Sequence, residues 1–317
     1  MGFPVSRTIV YAALLLASKA ALSQAFPSRP VTMLFPYPPG GFDVMARAFT
    51  EPLGRALGQQ VVLVNRDGAA GRIAFEQLAA ARPDGYTIAF SPAAPITSVP
   101  HLQQGVPYRY DSFSYVCQVF ENTFTISVPA NSRFQTLAQL VEFAKANPGK
   151  VNFGHAGVGS GPHLADEGFA EQLGLKLQAV PYRGGNPMLA ALAAGQIDFS
   201  SPGVASIAPR RDIRVLALFS DKRSAFLPDV PTVKELGLPP LQSDPQGIFT
   251  PKGVPPEVLS ALENACKAAS ESPAFRSFSE KLYQSVDFLP GVELLRRHAT
   301  DSAAKETLIR RLNLRPD

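Results

Sequence analysis

LFPYPPGGFDVMARAF, residues 34–49, is an apolar run that stops on three prolines and two glycines before a helix-like pattern begins. Nothing in the break is an obvious nucleophile, base or metal ligand, so the corner offers backbone rather than side-chain chemistry. Residues 31–36 read as a strand and residues 43–57 as a helix, with Val44, Ala48 and Leu53 among its apolar positions. A strand that turns through glycine into a helix is the repeating unit of an α/β fold. Glycine lets a ligand approach the backbone closely. The helix that follows presents unpaired N–H groups and the positive end of its dipole. Together these make a site for an anion such as a carboxylate.

The same rhythm continues on both sides of this corner. Strands are expected at residues 60–65 and 86–90, with a helix at 73–81 between them. Each strand is short and apolar throughout, as in a sheet covered on both faces. The run at 113–129 is longer and reads as a strand able to leave one sheet and enter another. After it the alternation restarts: helix 137–147, strand 151–154, helix 163–173, strand 178–181, helix 187–194 and strands 197–200 and 214–219. A Pro-rich passage at 227–256 leads to helices at 256–270, 273–282 and 291–312. Two α/β units joined by long crossing segments imply two lobes around a cleft. Lobe 1 is expected from residues 26–122 with 248–317, and lobe 2 from residues 123–247.

The first residues stand outside this pattern. Arg7 precedes an apolar stretch, and Ser23-Gln24-Ala25 places small residues where a signal peptidase cuts, so residues 1–25 are expected to be a cleavable secretory signal. No Cys follows Ala25, which argues against a lipid anchor. Roughly 290 residues remain, enough for two medium domains. Losing Arg7 and Lys19 with the leader takes the formal charge from +4 to +2, and no Lys/Arg block with interleaved aromatics points to nucleic acid. Cys117 and Cys266 make no metal spacing. An oxidising compartment permits a bridge, but the reading favours two buried free thiols, one in a strand-like run and one in a helix-like run.

Two further glycine-rich corners match the first: Gly154-His155-Ala156-Gly157-Val158-Gly159-Ser160-Gly161-Pro162 and Tyr182-Arg183-Gly184-Gly185-Asn186-Pro187. In open α/β sheets such sites gather at the carboxyl ends of the strands. Competing chemistries fare poorly. Pro162 stands where the last glycine of a dinucleotide fingerprint belongs, and no acid ends the next strand. Ser160 lacks the flanking glycines of a nucleophile elbow, because Val158 and Pro162 occupy them. The histidines at 101, 155, 163 and 298 are scattered, so neither a metal nor another cofactor is expected. His155, at a strand's end, either faces the cleft or packs within its loop.

Taken in order, these segments resemble the substrate-binding proteins of tripartite tricarboxylate transporters, the Bug proteins. The match runs through Phe26-Pro27-Ser28-Arg29-Pro30, Phe35-Pro36-Tyr37-Pro38-Pro39-Gly40-Gly41 with Asp43 and Arg47, and Gly58-Gln59-Gln60-Val61-Val62-Leu63-Val64-Asn65-Arg66. It continues through Arg82-Pro83-Asp84-Gly85-Tyr86-Thr87, Ala156 to Leu164, and Val180-Pro181-Tyr182-Arg183-Gly184-Gly185. Leu227-Pro228-Asp229-Val230-Pro231-Thr232-Val233 and Pro251-Lys252-Gly253-Val254-Pro255 complete it. The resemblance implies a periplasmic binding protein of type II, two α/β lobes closing on a ligand. It implies a receptor without enzymatic activity, acting as a monomer and delivering a carboxylate to integral-membrane permease subunits. The alternative is a sensing role, in which the closed form is presented to a sensor-kinase ectodomain.

The ligand-contacting set expected from this match is Tyr37, Pro39, Gly40, Gly41, Phe42 and Asp43 on one jaw, with Ser91 and Ala93 beside them. His155, Gly157, Gly159, Ser160, Gly161 and Pro202 form the other. Asp43 is expected to cap its helix and orient loop N–H groups rather than touch an anion. The sequence also departs from the family pattern. Phe42 alone stands between Gly-Gly and Asp43, where small hydroxylated residues are usual. Ser201-Pro202-Gly203 replaces an Asp-Asn-type ending, and the segment Pro209-Arg210-Arg211-Asp212-Ile213-Arg214 is shorter than usual. Ser243-Asp244-Pro245-Gln246-Gly247 lacks the aromatic usual in the returning strand. Phe42, Tyr37 and His155 together point to a ligand with an apolar or aromatic body; otherwise Phe42 packs against its lobe.

Overall fold

The computed structural model describes residues 26–39, 43–238 and 244–314. The expected signal peptide, residues 1–25, and the corner residues Gly40, Gly41 and Phe42 lie outside the described residues.

The corner at residues 34–49 joins β1 (Val31–Phe35) to α1 (Val44–Leu57). β1 runs parallel to β2 (Val61–Asn65) on one side and to β3 (Thr87–Ser91) on the other. Four of its five side chains are buried, which is why the strand is apolar throughout rather than alternating. α1 turns Met45, Ala46, Phe49 and Leu53 inward and ends at Gly58 in the left-handed conformation, φ 68°. Only glycine adopts that backbone without strain. Burying a side chain such as Phe49 or Leu53 contributes about 1.5–3 kcal/mol. The helix α2 (Arg72–Ala80) links β2 and β3.

β4 (Phe113–Asn122) belongs to the same sheet, and β5 (Thr125–Pro129) to another. The long apolar run at 113–129 therefore splits at Thr123 and Phe124, where the chain crosses between lobes. The second lobe continues with α3 (Leu137–Ala146), β6 (Asn152–His155), α4 (Gly161–Gln172), β7 (Gln178–Pro181), α5 (Gly185–Ala193), β8 (Phe199–Ser200) and β9 (Ile213–Leu218). Its five strands are ordered β7-β6-β8-β5-β9. β10 (Asp244–Pro251) returns to the first sheet, followed by α6 (Pro256–Glu271), α7 (Pro273–Lys281), β11 (Val286–Pro290) and α8 (Gly291–Arg311). The first sheet is then β11-β4-β10-β3-β1-β2, with β10 antiparallel to both neighbours, so residues 244–247, expected in lobe 2, pair in the first-lobe sheet.

Two strands escaped the sequence reading. β10 lies inside the Pro-rich passage, and β11 lies between two expected helices and ends on Pro290. Prolines interrupt a ladder and so mask a strand in sequence. β10 accommodates them with register shifts at Gln246/Gly247 and Ile248/Phe249.

The cysteines correct the expectation of two free thiols. Cys117 and Cys266 are joined in a disulfide, with Cα atoms 6.6 Å apart. The strand-like run and the helix-like run that carry them pack face to face, β4 against α6 in the first-lobe core. Both cysteines are fully buried, bonded to each other.

The lobes also touch away from the crossing strands. Leu164 of α4 packs with Leu308 and Ile309 of α8, beside Leu102. Arg311 of α8 pairs with Glu171 of α4.

Candidate functional site

The carboxyl ends of β1 and β3 bring the first-lobe residues together. Tyr37 follows β1, its ring edge-on to Phe35 with centroids 5.9 Å apart, and its carbonyl accepts from the Asn65 amide at 2.8 Å. Burial, and then the charge of Asp244, push its phenol far above the ordinary range, so it acts only as a neutral hydroxyl. Pro39 is exposed. Ser91 ends β3 fully buried, with its hydroxyl donated to the Pro92 carbonyl at 2.8 Å. Ala93 is fully buried as well, and its N–H is donated to Asp244 Oδ1 at 3.1 Å.

Asp43 stands at the N-cap position of α1, but its carboxylate makes no cap hydrogen bond to the helix. The expected side-chain cap is therefore corrected. Asp43 has φ −81° and ψ −6°, already helical, whereas a capping side chain reaches back from an extended residue. Its carboxylate instead accepts from Arg47 at 2.6 Å, one turn on, and lies 3.5 Å from the Asn65 amide. The pair ties the base of the corner to β2.

The second jaw is the turn between β6 and α4. Gly157 and Gly159 have φ of 120° and 77°, so this backbone path belongs to glycine. Ser160 is the N-cap of α4: it is extended at φ −62° and ψ 156°, and its Oγ accepts from the His163 N–H at 3.4 Å. Both glycine amides are already engaged. The Gly157 N–H is donated to His155 Nδ1 at 3.2 Å, and the Gly159 N–H to His163 Nδ1 at 3.0 Å. The two imidazoles stack with centroids 4.0 Å apart. His155 is only 2% exposed, bonded to and stacked within its own loop. Burial first, and then His163, lower its pKa to about 4, so it is neutral and able to accept. Leu102 of the first lobe packs where a Gly159 side chain would stand. Pro202 is buried, its carbonyl accepting from both the N–H and the hydroxyl of Thr125 at 2.9 Å.

Ser160 and His163 do not form a nucleophile–base pair. The contact runs from the His163 backbone N–H, while its ring holds the Gly159 amide on one nitrogen and lies 3.7 Å from Glu167 on the other. Among the described residues no group of His, Cys, Asp and Glu side chains is arranged to hold a metal ion, and no helix is long and apolar enough to cross a membrane.

The sequence reading noted the unusual segment at 243–247 without placing it in the site. Asp244 opens β10 opposite Asn122 at the end of β4. Its carboxylate takes the Ala93 N–H on one oxygen and the Gln246 amide on the other, the latter at 2.8 Å. Burial raises its pKa to about 6, against the opposing pull of Lys305. Asn122 in turn packs against Gly203 of the second lobe, so this carboxylate stands where the lobes meet. The missing aromatic was the signal available in sequence.

Comparison with known proteins agrees with this architecture. A model of the tripartite tricarboxylate transporter family receptor matches residues 45–314. A UPF0065 protein of Bordetella pertussis is 33% identical over 288 residues, covering 87% of each chain. The BugT protein of the same organism is 33% identical over 259 residues, 80% of this chain and 79% of its own. A solved R. palustris protein with adipate superposes with a TM-score of 0.78 at 26% identity, over 92% of this chain and 100% of its own. MatC from Rhodopseudomonas palustris with bound malate gives 0.75 at 26% identity, over 90% and 100%. With its two α/β lobes and its glycine-rich corners, the chain belongs to the tripartite tricarboxylate transporter family receptors, periplasmic solute-binding proteins rather than enzymes.

Proposed function

We propose that the cleft captures a small molecule bearing a carboxylate and hands it to the integral-membrane permease subunits of a tripartite transporter. The observation that carries this reading is the turn at 157–161. Two glycines with positive φ and an N-cap serine lead into the positive end of a twelve-residue helix. Similar proteins with adipate and with bound malate support an acid as ligand. The molecule's body is apolar or aromatic, a reading that rests on Tyr37 and on Phe42. His155, packed inside its loop, contributes no wall to it. Residues 1–25 act as the signal for export to the periplasm.

The test is a thermal-shift screen of the mature protein with aliphatic monocarboxylates, dicarboxylates, citrate, benzoates and neutral sugars. Stabilisation by carboxylates alone supports the assignment; stabilisation by sugars alone overturns it. If citrate, malate or glutamate raises the melting temperature and benzoates do not, the aromatic body is wrong while the carboxylate stands. A Ser160→Ala variant should weaken any carboxylate response.

A further inference from the structure

Asp244 accepts the Ala93 N–H just before the helical turn Ala94–Thr97. The residue is half-buried, opposite Asn122, which packs against Gly203 of the second lobe. Its partners are an N–H, the Gln246 amide and, more weakly, the Asn122 amide. Among the described residues no Lys, Arg or His pairs with it. Lys305 is nearby but spent on Asp301 at 2.7 Å and Thr97 at 3.0 Å. A buried carboxylate without a bonded cation is costly. Neutral donors lessen that cost without cancelling the charge.

We propose that Asp244 is the specificity residue of this receptor, holding a positively charged nitrogen at the end of the ligand opposite its carboxylate. The inference rests on the proposed carboxylate capture and adds the other end of the molecule. The geometry supports it in three ways. Asp244 belongs to the first lobe and the turn at 157–161 to the second, so a ligand with unlike ends joins both lobes. Tyr37, a neutral hydroxyl, stands close enough to feel the charge of Asp244. A second carboxylate directed here would meet an unneutralised negative charge, so diacids are rejected by repulsion rather than by size.

The experiment uses matched pairs of equal reach: 6-aminohexanoate with adipate, and 4-(aminomethyl)benzoate with terephthalate. Hexanoate and benzoate serve as carboxylates without a second group. Affinities are measured by calorimetry at pH 7.5 for the wild type and for D244N. The expected result is at least a 10-fold preference of the wild type for the aminated member of a pair. D244N should cut that affinity at least 10-fold while leaving hexanoate or benzoate within about 3-fold. The variant should also gain affinity for the diacid, because an amide can donate where the carboxylate repels. A wild type that prefers the diacid, or a preference that D244N leaves unchanged, overturns the role of Asp244 and leaves carboxylate capture standing. Binding of none of the six acids overturns both readings. D244E, which keeps the charge on a longer arm, should retain the sign of the preference; its loss there together with intact hexanoate binding would also count against the proposal.

Discussion

Replacing Asp244 with Asn should make the ligand-free protein more stable at neutral pH and not at acid pH. The carboxyl titrates near pH 6 in the folded protein, against an ordinary 3.8. Its folded pKa is raised, so the folded state binds the proton more tightly than the unfolded one. Stability from this group is therefore greatest below pH 3.8, declines as pH rises to 6, and is lost above it. A difference of about 2 pH units corresponds to about 3 kcal/mol at pH 7.5. Asn removes that penalty and can still accept the Ala93 N–H. Its NH₂ must then face Gln246, which can turn its amide oxygen toward it. With an unfolding entropy of about 2 cal/mol/K per residue, 3 kcal/mol raises Tm by roughly 5 °C. The assay is calorimetric unfolding of the wild type and D244N at pH 4 and pH 7.5, without ligand. The reasoning fails if D244N lowers Tm at pH 7.5, or if the difference between the two proteins is the same at both values.

Other expectations follow from the same geometry. His155 has the opposite sign: its folded pKa near 4 lies below the ordinary 6.5, so its contribution is present above pH 6.5 and lost on acidification toward 4. H155N, read as the change in Tm between pH 7.5 and pH 4.5, should flatten that loss; a slope equal to wild type refutes it. Reducing the Cys117–Cys266 bridge, whose ends are 149 residues apart, should lower stability by about 3–5 kcal/mol in denaturant titrations with and without reductant. G159A must place a side chain at φ 77° and against Leu102 of the other lobe. It should destabilise by about 1–3 kcal/mol and lower ligand affinity, whereas the same change at Gly174, exposed at a helix end, should leave affinity alone. S160A should lose about 1 kcal/mol with the N-cap, and no esterase activity, since none should exist to lose.

Much of the fold is local in the sequence and was legible there. β1, α1 and the glycine corner between them announce themselves by an apolar run, punctuation and helical spacing. So does the turn at 157–161, where glycine and an N-cap serine adjoin a helix. Most of the misses depend on a partner distant in sequence. Spacing alone cannot show that Cys117 meets Cys266, because β4 and α6 are brought together only when β10 returns to the first sheet. Pro245 and Pro251 hide β10 because proline normally marks a strand's limit, and only its pairing with both β3 and β4 overrides that. Asp43 reads as a cap from its position, but Arg47 and Asn65 decide what its carboxylate does. Asp244 could be noticed as an oddity but not placed. Its meaning comes from the Ala93 N–H, 151 positions away in the chain.

The two stacked imidazoles have a consequence for the transport cycle. His155 and His163 act as internal acceptors: they satisfy the Gly157 and Gly159 amides within the loop itself. A carboxylate that uses those amides swaps one acceptor for another, so only the difference between an anion and a neutral ring contributes to affinity. Release works the same way in reverse. The rings can reclaim the amides as the ligand leaves, and the loop need not pass through a conformation with stranded donors. Under the proposed carboxylate capture, a receptor built this way would give up tightness and gain reversible release.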